Sequence, residues 1–150
     1  MKATAKYNIA FGSNLNMEQM KHRCPNAKVE CSTELKGYEL QFRGSDNGAH
    51  ATVVPRKDGS VPIIIWRITP RCEAALDRYE GVPRYYTKEY VLLRIGENYE
   101  PALIYVMNKR QKEATPSDGY FDCVKEGYIA AGFDLNILSK ALESARSNQV

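Results

Sequence analysis

Two stretches of the sequence combine residue types that could do chemistry, and the first is Gly12-Ser13-Asn14. An apolar run from Asn8 ends at these three residues, and a helical pattern begins at Leu15. This order predicts a strand, a tight turn and the N-terminus of a helix, which leave several backbone N–H groups without partners. Such a turn could bind a carboxylate or a developing oxyanion, because Gly12 lets a ligand approach the main chain closely. Many strand–helix turns of this composition bind nothing, so a purely structural role is the alternative.

The second stretch surrounds Glu80, which falls in the last turn of a predicted helix. A carboxylate there faces the negative end of the helix macrodipole, and burial among large neighbours such as Tyr79 and Tyr86 would raise its pKa further. A glutamate held close to neutrality suits general acid–base catalysis. A surface salt bridge between Glu80 and Arg78 or Arg84 is the alternative that the local sequence leaves open.

Other common catalytic and cofactor motifs are not found in the sequence. Ser13 does not stand in a GxSxG nucleophile elbow, and no histidine is expected near it. His22 and Cys24 are two residues apart, so on a helix they would point in different directions. There is no phosphate loop or dinucleotide fingerprint, and the 4 cysteines and 2 histidines lack zinc-site spacing. We therefore expect reduced, mostly buried thiols, no cofactor and no metal, and a reaction whose nucleophile belongs to the substrate.

Composition and charge bound the class of protein. With 150 residues, 43% of them hydrophobic, the chain is expected to form one globular domain over residues 1–150. The net charge is +3, and the longest basic cluster, residues 109–112, is too short to form a nucleic-acid track. No apolar leader or membrane-length segment is visible, so no membrane partner is expected and the cytosol is the expected compartment.

The elements that must position these residues follow from hydrophobic periodicity and from turn and cap signals. Asn14 or Asn16 is expected to cap a first helix over about 15–22, with Met17 and Met20 facing inward. Thr69 is expected to cap a second helix that stops at Gly81, with an apolar stripe of Cys72, Ala75, Leu76 and Tyr79. Residues 57–60, Lys-Asp-Gly-Ser, predict a hairpin turn. Because too few helices alternate with strands for a doubly wound sheet, we expect a strongly curved or closed mixed sheet with helices outside. After a first strand that ends near residue 11, the predicted strands are 29–35, 38–42, 51–54, 61–68, 85–95 and 100–107, and the unbroken apolar run in 61–68 is expected to be buried on both faces. Residues 115–118, Thr-Pro-Ser-Asp, are expected to open a third helix and Asp134 to cap a last one, with a frayed tail over 147–150.

Three motifs of the chain resemble those of one known family. Residues 11–15, Phe-Gly-Ser-Asn-Leu, resemble the (Y/F)GSNL signature of the γ-glutamylcyclotransferase-like superfamily. Residues 76–82 resemble its second signature, a helix that ends in Asp-x-x-Glu-Gly, and residues 116–120 its third, a Pro-Ser-x-x-Tyr helix start. Trp66 stands where the family has an aromatic residue at the end of a central strand. These marks fall in the family's order from Tyr7 to about Leu142.

The resemblance implies an α+β fold, a small mixed β-barrel of about six strands with flanking helices around one pocket. It also implies a reaction in which the α-amine of a γ-glutamyl group attacks its own γ-carbonyl and releases 5-oxoproline and a free amine, without a cofactor. The implied partner is a small-molecule γ-glutamyl substrate and not a nucleic acid. The oligomeric state stays open, with a homodimer as one option.

The resemblance also implies the roles of individual residues. Glu80 matches the family's catalytic glutamate, which takes the ammonium proton and returns a proton to the leaving amine. Tyr120 matches a tyrosine that closes the pocket, and Tyr86 a second one. Phe11 and Ile63 depart from the family pattern, in which Tyr and Gly are usual, and they leave substrate choice open. The residues assigned to substrate binding are Asn8, Ile9, Ala10, Phe11, Gly12, Ser13, Asn14, Tyr86 and Tyr120.

Two further interpretations compete with an enzyme. A non-catalytic module of the same fold could bind a γ-glutamyl group without cyclising it, and the missing hydroxyl at Phe11 leaves room for this. An interaction protein could instead use its 10 tyrosines as surface contacts. The leaving group is not identified by the sequence, since the loops at 43–48 and 108–115 that could contact it cannot be placed from periodicity.

Overall fold

The architecture is a mixed sheet with helices packed around it, seen in a computed structural model that describes residues 5–148. A short 3₁₀ turn, Ser13–Leu15, joins the first strand to the first helix. The strands are β1 Tyr7–Ala10, β2 Lys28–Arg43, β3 His50–Arg67, β4 Tyr86–Ile95 and β5 Asn98–Met107, and the helices are α1 Met17–Arg23, α2 Pro70–Tyr79, α3 Asp118–Ala131 and α4 Leu135–Ser147.

The described strands form one sheet in the order β2-β3-β1-β5-β4. β1 pairs antiparallel with β3 and parallel with β5, so the sheet is mixed as predicted. The predicted α+β class is confirmed. The sheet has five strands rather than six, and within residues 5–148 its edge strands β2 and β4 do not pair with each other. The closed barrel implied by the resemblance is therefore an open sheet.

The predicted hairpin at residues 57–60 is wrong. β3 runs on through these residues and pairs with the same strand, β2, on both sides of them: Val54 lies opposite Glu39, and Val61 lies opposite Leu35. Asp58 has a positive φ of 63°, which forms an irregular bulge in a continuous strand instead of a chain reversal. Two long strands thus replace the four short ones that the pattern predicted.

The centre of the core is β1, together with the second half of β3. All four residues of β1 are buried, and so is the run Val61–Trp66 of β3, which was predicted to be buried on both faces. β1 lies between β3 and β5 in the middle of the sheet, so the loop that follows Ala10 also starts there. This placement brings the loop to the edge where the candidate site lies.

The start of α1 agrees with the predicted cap, because the Asn16 side chain accepts from the backbone N–H groups of Glu18 and Gln19. Met20 is fully buried as expected, whereas Met17, which was expected to face inward, is 46% exposed. Residues 13–15 form a separate 3₁₀ turn, so α1 begins at Met17, two residues later than predicted, and residue 17 lies at the start of the helix and not within it.

α2 begins at its predicted cap, Thr69, and the chain leaves it at Gly81, which has a φ of 65°. Cys72 and Leu76 of its predicted apolar stripe are buried. Tyr79, also assigned to that stripe, is 47% exposed, because its ring lies against Arg23 and not in the core.

The prediction of reduced cysteines is wrong for Cys24 and Cys72, which form a disulfide with a Cα–Cα distance of 5.1 Å. The bond joins the end of α1 to the first turn of α2, two positions that are 48 residues apart in sequence. Cys31 and Cys123 are free and half-buried. A contact between two helix ends depends on tertiary packing, and cysteine spacing carries no signal for it.

α4 starts at its predicted cap, Asp134, and α3 starts within the predicted segment 115–118, with Ser117 as its N-cap. α3 packs closely on the 3₁₀ turn, since a side chain at Gly127 would lie 2.8 Å from Leu15. The predicted fraying of the tail concerns residues 147–150, of which 149 and 150 lie outside the described residues. Within the described chain, no helix combines the length and apolar character needed to span a bilayer.

Candidate active site

One cavity of about 200 Å³ opens beside the C-terminal end of β1. It is smaller than the cavities of roughly 300–1,000 Å³ that enclose drug-sized ligands, so it suits one end of a small molecule. Its walls come from five parts of the chain that are far apart in sequence. The lining residues are Ile9, Ala10, Phe11, Gly12, Ser13, Asn14, His50, Ala51, Tyr79, Glu80, Tyr85, Tyr86, Tyr105 and Tyr120.

The structure brings together almost all residues that the sequence assigned to the site. Glu80, Tyr86, Tyr120 and the segment 9–14 all line this cavity. Asn8 is the exception: it is fully buried in the sheet, and its Nδ2 donates to the Leu103 carbonyl at 3.3 Å. Because side chains alternate along a strand, Asn8 and its neighbour Ile9 point to opposite faces of the sheet.

The loop after β1 holds its backbone in a fixed shape. The Leu15 N–H donates to the Gly12 carbonyl at 3.0 Å, which closes the 3₁₀ turn. The Trp66 indole Nε1 donates to the Asn14 carbonyl at 3.0 Å, so the end of β3 holds the loop from the core side. Among residues 5–148, no hydrogen bond takes up the N–H groups of Gly12 and Ser13. These two donors can bind an oxyanion in the cavity.

Gly12 is needed at its position because of its surroundings. A Cβ placed there would lie 3.0 Å from the Ala51 Cβ and 3.3 Å from the Tyr120 hydroxyl. A larger residue would push the loop away from β3 and α3. The glycine therefore lets the loop approach both, as well as a ligand.

Glu80 caps the C-terminal end of α2 and is half-buried. Burial raises the pKa of its carboxyl to about 7, and the positive charge of Arg23 opposes that rise. Within residues 5–148, no hydrogen bond or ion pair reaches the carboxylate, so the predicted alternative of a salt bridge to Arg78 or Arg84 is not observed. A carboxyl with a pKa near 7 can both accept and return a proton at neutral pH.

Two tyrosine hydroxyls bind the backbone of one residue of β3, Ala51. The Tyr86 hydroxyl donates to the Ala51 carbonyl at 2.6 Å, and the Ala51 N–H donates to the Tyr120 oxygen at 2.9 Å. Burial raises the pKa of both tyrosines, so both stay protonated. Because the Tyr120 oxygen accepts and no described group takes its proton, that proton is free to donate to a ligand.

His50 lies in the same cavity, contrary to the expectation that no histidine would be near Ser13. Its Nδ1 lies 2.9 Å from the Tyr85 hydroxyl, and its ring meets the Tyr120 ring edge-on at a centroid distance of 4.7 Å. Burial lowers the pKa of His50, so the ring is neutral near pH 7. Ser13 itself accepts a hydrogen bond from Arg23, and within the described chain no base contacts it. No local sequence pattern around His50 indicated the site, because His50 reaches the cavity through the course of the loop at 44–49, which connects β2 to β3.

Tyr105 is another wall residue that sequence reasoning did not assign. Its hydroxyl donates to Asp77 at 2.7 Å, and Asp77 accepts from Lys88 at 3.1 Å. Lys88 also binds Glu73, whose carboxylate accepts the Ala5 N–H at 2.8 Å. Asp77 is the first residue of the Asp-x-x-Glu-Gly motif, which was a signal for this network. In the described part of the chain, no three His, Cys, Asp or Glu side chains come together as a metal site would require.

The site thus combines a proton acceptor, two free backbone N–H donors and a tyrosine proton around one small cavity. Known proteins share this fold. The family model for gamma-glutamyl cyclotransferase, AIG2-like, matches residues 9–123. The chain belongs to this family. The match includes the loop after β1, Glu80 and Tyr120.

Solved structures of the same fold are similar to most of the chain. One, named gamma-glutamyl cyclotransferase, has 24% identity and a TM-score of 0.79, with 92% of this chain and 86% of that chain covered. The human uncharacterized protein loc79017 has 25% identity and a TM-score of 0.79, with 93% and 87% covered. A yeast gamma-glutamyl cyclotransferase specific to glutathione has 11% identity and a TM-score of 0.62, with 98% and 100% covered. No curated protein sequence matches the chain. Family and fold together support an activity of the gamma-glutamyl cyclotransferase type.

Proposed function

We propose that the chain is a γ-glutamyl cyclotransferase that converts a small γ-glutamyl amide or peptide into 5-oxoproline and a free amine. One observation carries this proposal: a half-buried carboxyl with a pKa near 7, Glu80, shares a cavity with the unpartnered N–H groups of Gly12 and Ser13. The family supports the reaction type.

The proposed reaction begins when the Glu80 carboxylate accepts a proton from the α-ammonium group of the substrate. The freed amine then attacks the γ-carbonyl carbon, a C–N bond forms, and the carbonyl oxygen takes the negative charge. As this intermediate collapses, the bond to the leaving nitrogen breaks, and Glu80 returns its proton to that nitrogen. The second proton of the attacking nitrogen then passes through the regenerated Glu80 carboxylate to the released amine, which leaves as an ammonium ion, so the ring nitrogen becomes a lactam N–H. Atoms and protons balance without any further reactant.

Three features of the cavity would accelerate such a reaction. Ring closure is intramolecular, so holding the γ-glutamyl chain in a folded pose provides much of the acceleration. A positioned base contributes about 10²–10⁴-fold, and a backbone donor to the oxyanion about 10²–10³-fold. In this proposal the N–H groups of Gly12 and Ser13 donate to the oxyanion, and the Tyr120 hydroxyl proton orients the substrate.

The test is a screen of γ-glutamyl amino acids, γ-glutamylamines and γ-glutamyl peptides for released 5-oxoproline. We expect the wild type to release it from at least one compound and Glu80→Gln to lose at least about 10²-fold in rate, because the amide cannot accept the proton. Glu97→Gln is the matched control, since Glu97 is exposed in the turn between β4 and β5.

Full turnover by Glu80→Gln on the wild-type substrate would contradict the proposal. So would tight binding of a γ-glutamyl compound by calorimetry with no product over hours, which is the result that a non-catalytic binding module predicts.

A further inference from the structure

Arg23 is the last residue of α1 and is half-buried beside the candidate site. Its Nη1 donates to the Ser13 Oγ at 3.0 Å and also to the Asn14 side-chain oxygen. Its Nη2 donates to the Gln19 side-chain oxygen at 3.1 Å, which fixes the guanidinium in one orientation. One side chain thus holds two residues of the loop that carries the free N–H groups.

The same guanidinium also contacts the element that carries Glu80. Its Cζ lies 3.5 Å from the centroid of the Tyr79 ring, a close cation–π arrangement. Tyr79 directly precedes Glu80 at the end of α2. The next residue after Arg23, Cys24, forms a disulfide with Cys72 of α2. The end of α1 that carries Arg23 is therefore fixed to α2.

The charge of Arg23 acts on the Glu80 carboxyl, whose pKa it lowers against the effect of burial. Of the cavity groups packed around Glu80, burial raises the pKa of Tyr85, Tyr86, Tyr105 and Tyr120 and lowers the pKa of His50, so these side chains carry no charge near pH 7. On α3, burial raises the pKa of the Cys123 thiol, and the charges of Arg23 and Glu126 both act on it as well, Arg23 lowering the pKa and Glu126 raising it. Asp77 and Lys88 are linked to the cavity through the Tyr105 hydroxyl, which donates to Asp77. The titratable and charged groups around Glu80 are Arg23, His50, Tyr79, Tyr85, Tyr86, Tyr105 and Tyr120.

We propose that Arg23 is a positioning residue for this site: it fixes the Ser13–Asn14 loop against the end of α2 and places a positive charge where it acts on the Glu80 carboxylate. This inference rests on the proposed function for its catalytic meaning. The two contributions are separable, because a lysine keeps the charge but lacks the planar fork that binds two oxygens and stacks on a ring. A methionine keeps the stem and removes both.

The test compares Arg23→Met and Arg23→Lys with the wild type, with Lys21→Met as the control for loss of an exposed positive charge on the same helix. The Glu80 carboxyl is titrated by ¹³C NMR in the absence of substrate and assigned from the spectrum of Glu80→Gln. In parallel, kcat and KM for 5-oxoproline formation are measured from pH 5 to 9.

We expect the Glu80 pKa and the acid limb of kcat/KM to shift upward together in Arg23→Met and to stay in place in Arg23→Lys and Lys21→Met. In both Arg23 variants KM should rise by at least about tenfold, the loss expected for one charged hydrogen bond to the loop. An unmoved Glu80 titration in Arg23→Met, or wild-type KM in both variants, would overturn the inference.

Two safeguards keep the outcomes distinct. If Arg23→Met does not fold, Arg23→Gln takes its place, because it also removes the charge and retains one hydrogen-bond donor for the loop. If the wild type forms no 5-oxoproline from any compound, the proposed function fails, whereas the NMR titration still decides whether Arg23 acts on Glu80.

Discussion

Glu80 shows, at the scale of one residue, a position that function explains better than stability. A carboxylate at the C-terminal end of a helix is unfavourable, and burial without a hydrogen bond adds to the penalty. The structure keeps this side chain beside a cavity and not in bulk solvent. A carboxyl in such surroundings favours its neutral form, and the fold therefore loses stability when the group ionises.

Glu80→Gln should for this reason stabilise the protein at alkaline pH. The ordinary pKa of a glutamate is 4.5, and the folded-state value is about 7. The neutral acid thus contributes stability that is fully present below about pH 4.5 and is lost as the pH rises through 7. The stability gained by the variant over the wild type should be larger at pH 8 than at pH 4.5 by up to about 3 kcal/mol, reduced by solvent contact of the half-buried group. Urea unfolding at both pH values measures it, and an equal difference at the two would show that the carboxyl is not perturbed.

The residues of the site were predictable where a local pattern carried them. Glu80 at a helix end and Gly12-Ser13-Asn14 after an apolar run are visible in the sequence, and the structure places both at one cavity. Arg23, His50 and Tyr105 were not assigned, because their contacts join residues that are distant in sequence or lie across a helix and a turn. The catalytic and binding roles stay predictions until they are measured.

At the scale of elements, the site depends on how α1, α2 and the loop after β1 are held together. Arg23 joins the loop to the end of α2, and the Cys24–Cys72 disulfide joins the two helices directly. Trp66 holds the loop from β3 on the other side. These three links fix the loop and the carboxylate relative to each other.

Loss of the disulfide should lower stability through the unfolded chain. The bond closes a loop of 48 residues, for which the chain-entropy estimate is about 4 kcal/mol, and measured losses are typically about 2–4 kcal/mol. The double variant Cys24→Ser, Cys72→Ser should therefore have a free energy of unfolding lower by about 2–4 kcal/mol, measured as a lower midpoint in urea unfolding. Cys31→Ser, which changes a free half-buried thiol, is the control. Equal midpoints for the double variant and the oxidised wild type would show that the bond does not stabilise the fold.

Helix starts and most strands were predictable at this scale, since Asn16, Thr69 and Asp134 cap helices as expected and α3 begins within the predicted segment 115–118. The prediction of a hairpin at 57–60 was wrong because an Asp-Gly pair suits a bulge as well as a turn. Only the pairing of β3 with β2 on both sides of these residues distinguishes the two. The disulfide was missed for a related reason, since it depends on which helix ends meet.

At the scale of the whole molecule, the order of the strands creates the site. β1 is central, so its C-terminal loop lies between β3, which supplies His50 and Ala51, and β5, which supplies Tyr105. α2 and α3 then close the cavity with Glu80 and Tyr120. Periodicity predicted the elements and their class, but sheet order and closure depend on long-range pairing, and the resemblance implied a closed barrel where the sheet is open.

The pH dependence of kcat/KM for 5-oxoproline release tests most directly whether the buried carboxyl is the base. Ionised Glu80 is the active form, so kcat/KM should fall about tenfold per pH unit below a limb near pH 7, the pKa of the free enzyme's carboxyl, and stay level above it until the α-ammonium group of the substrate deprotonates. The limb should be absent from whatever residual rate Glu80→Gln retains. A wild-type profile that stays level down to pH 5 would contradict the assignment of Glu80 as the base.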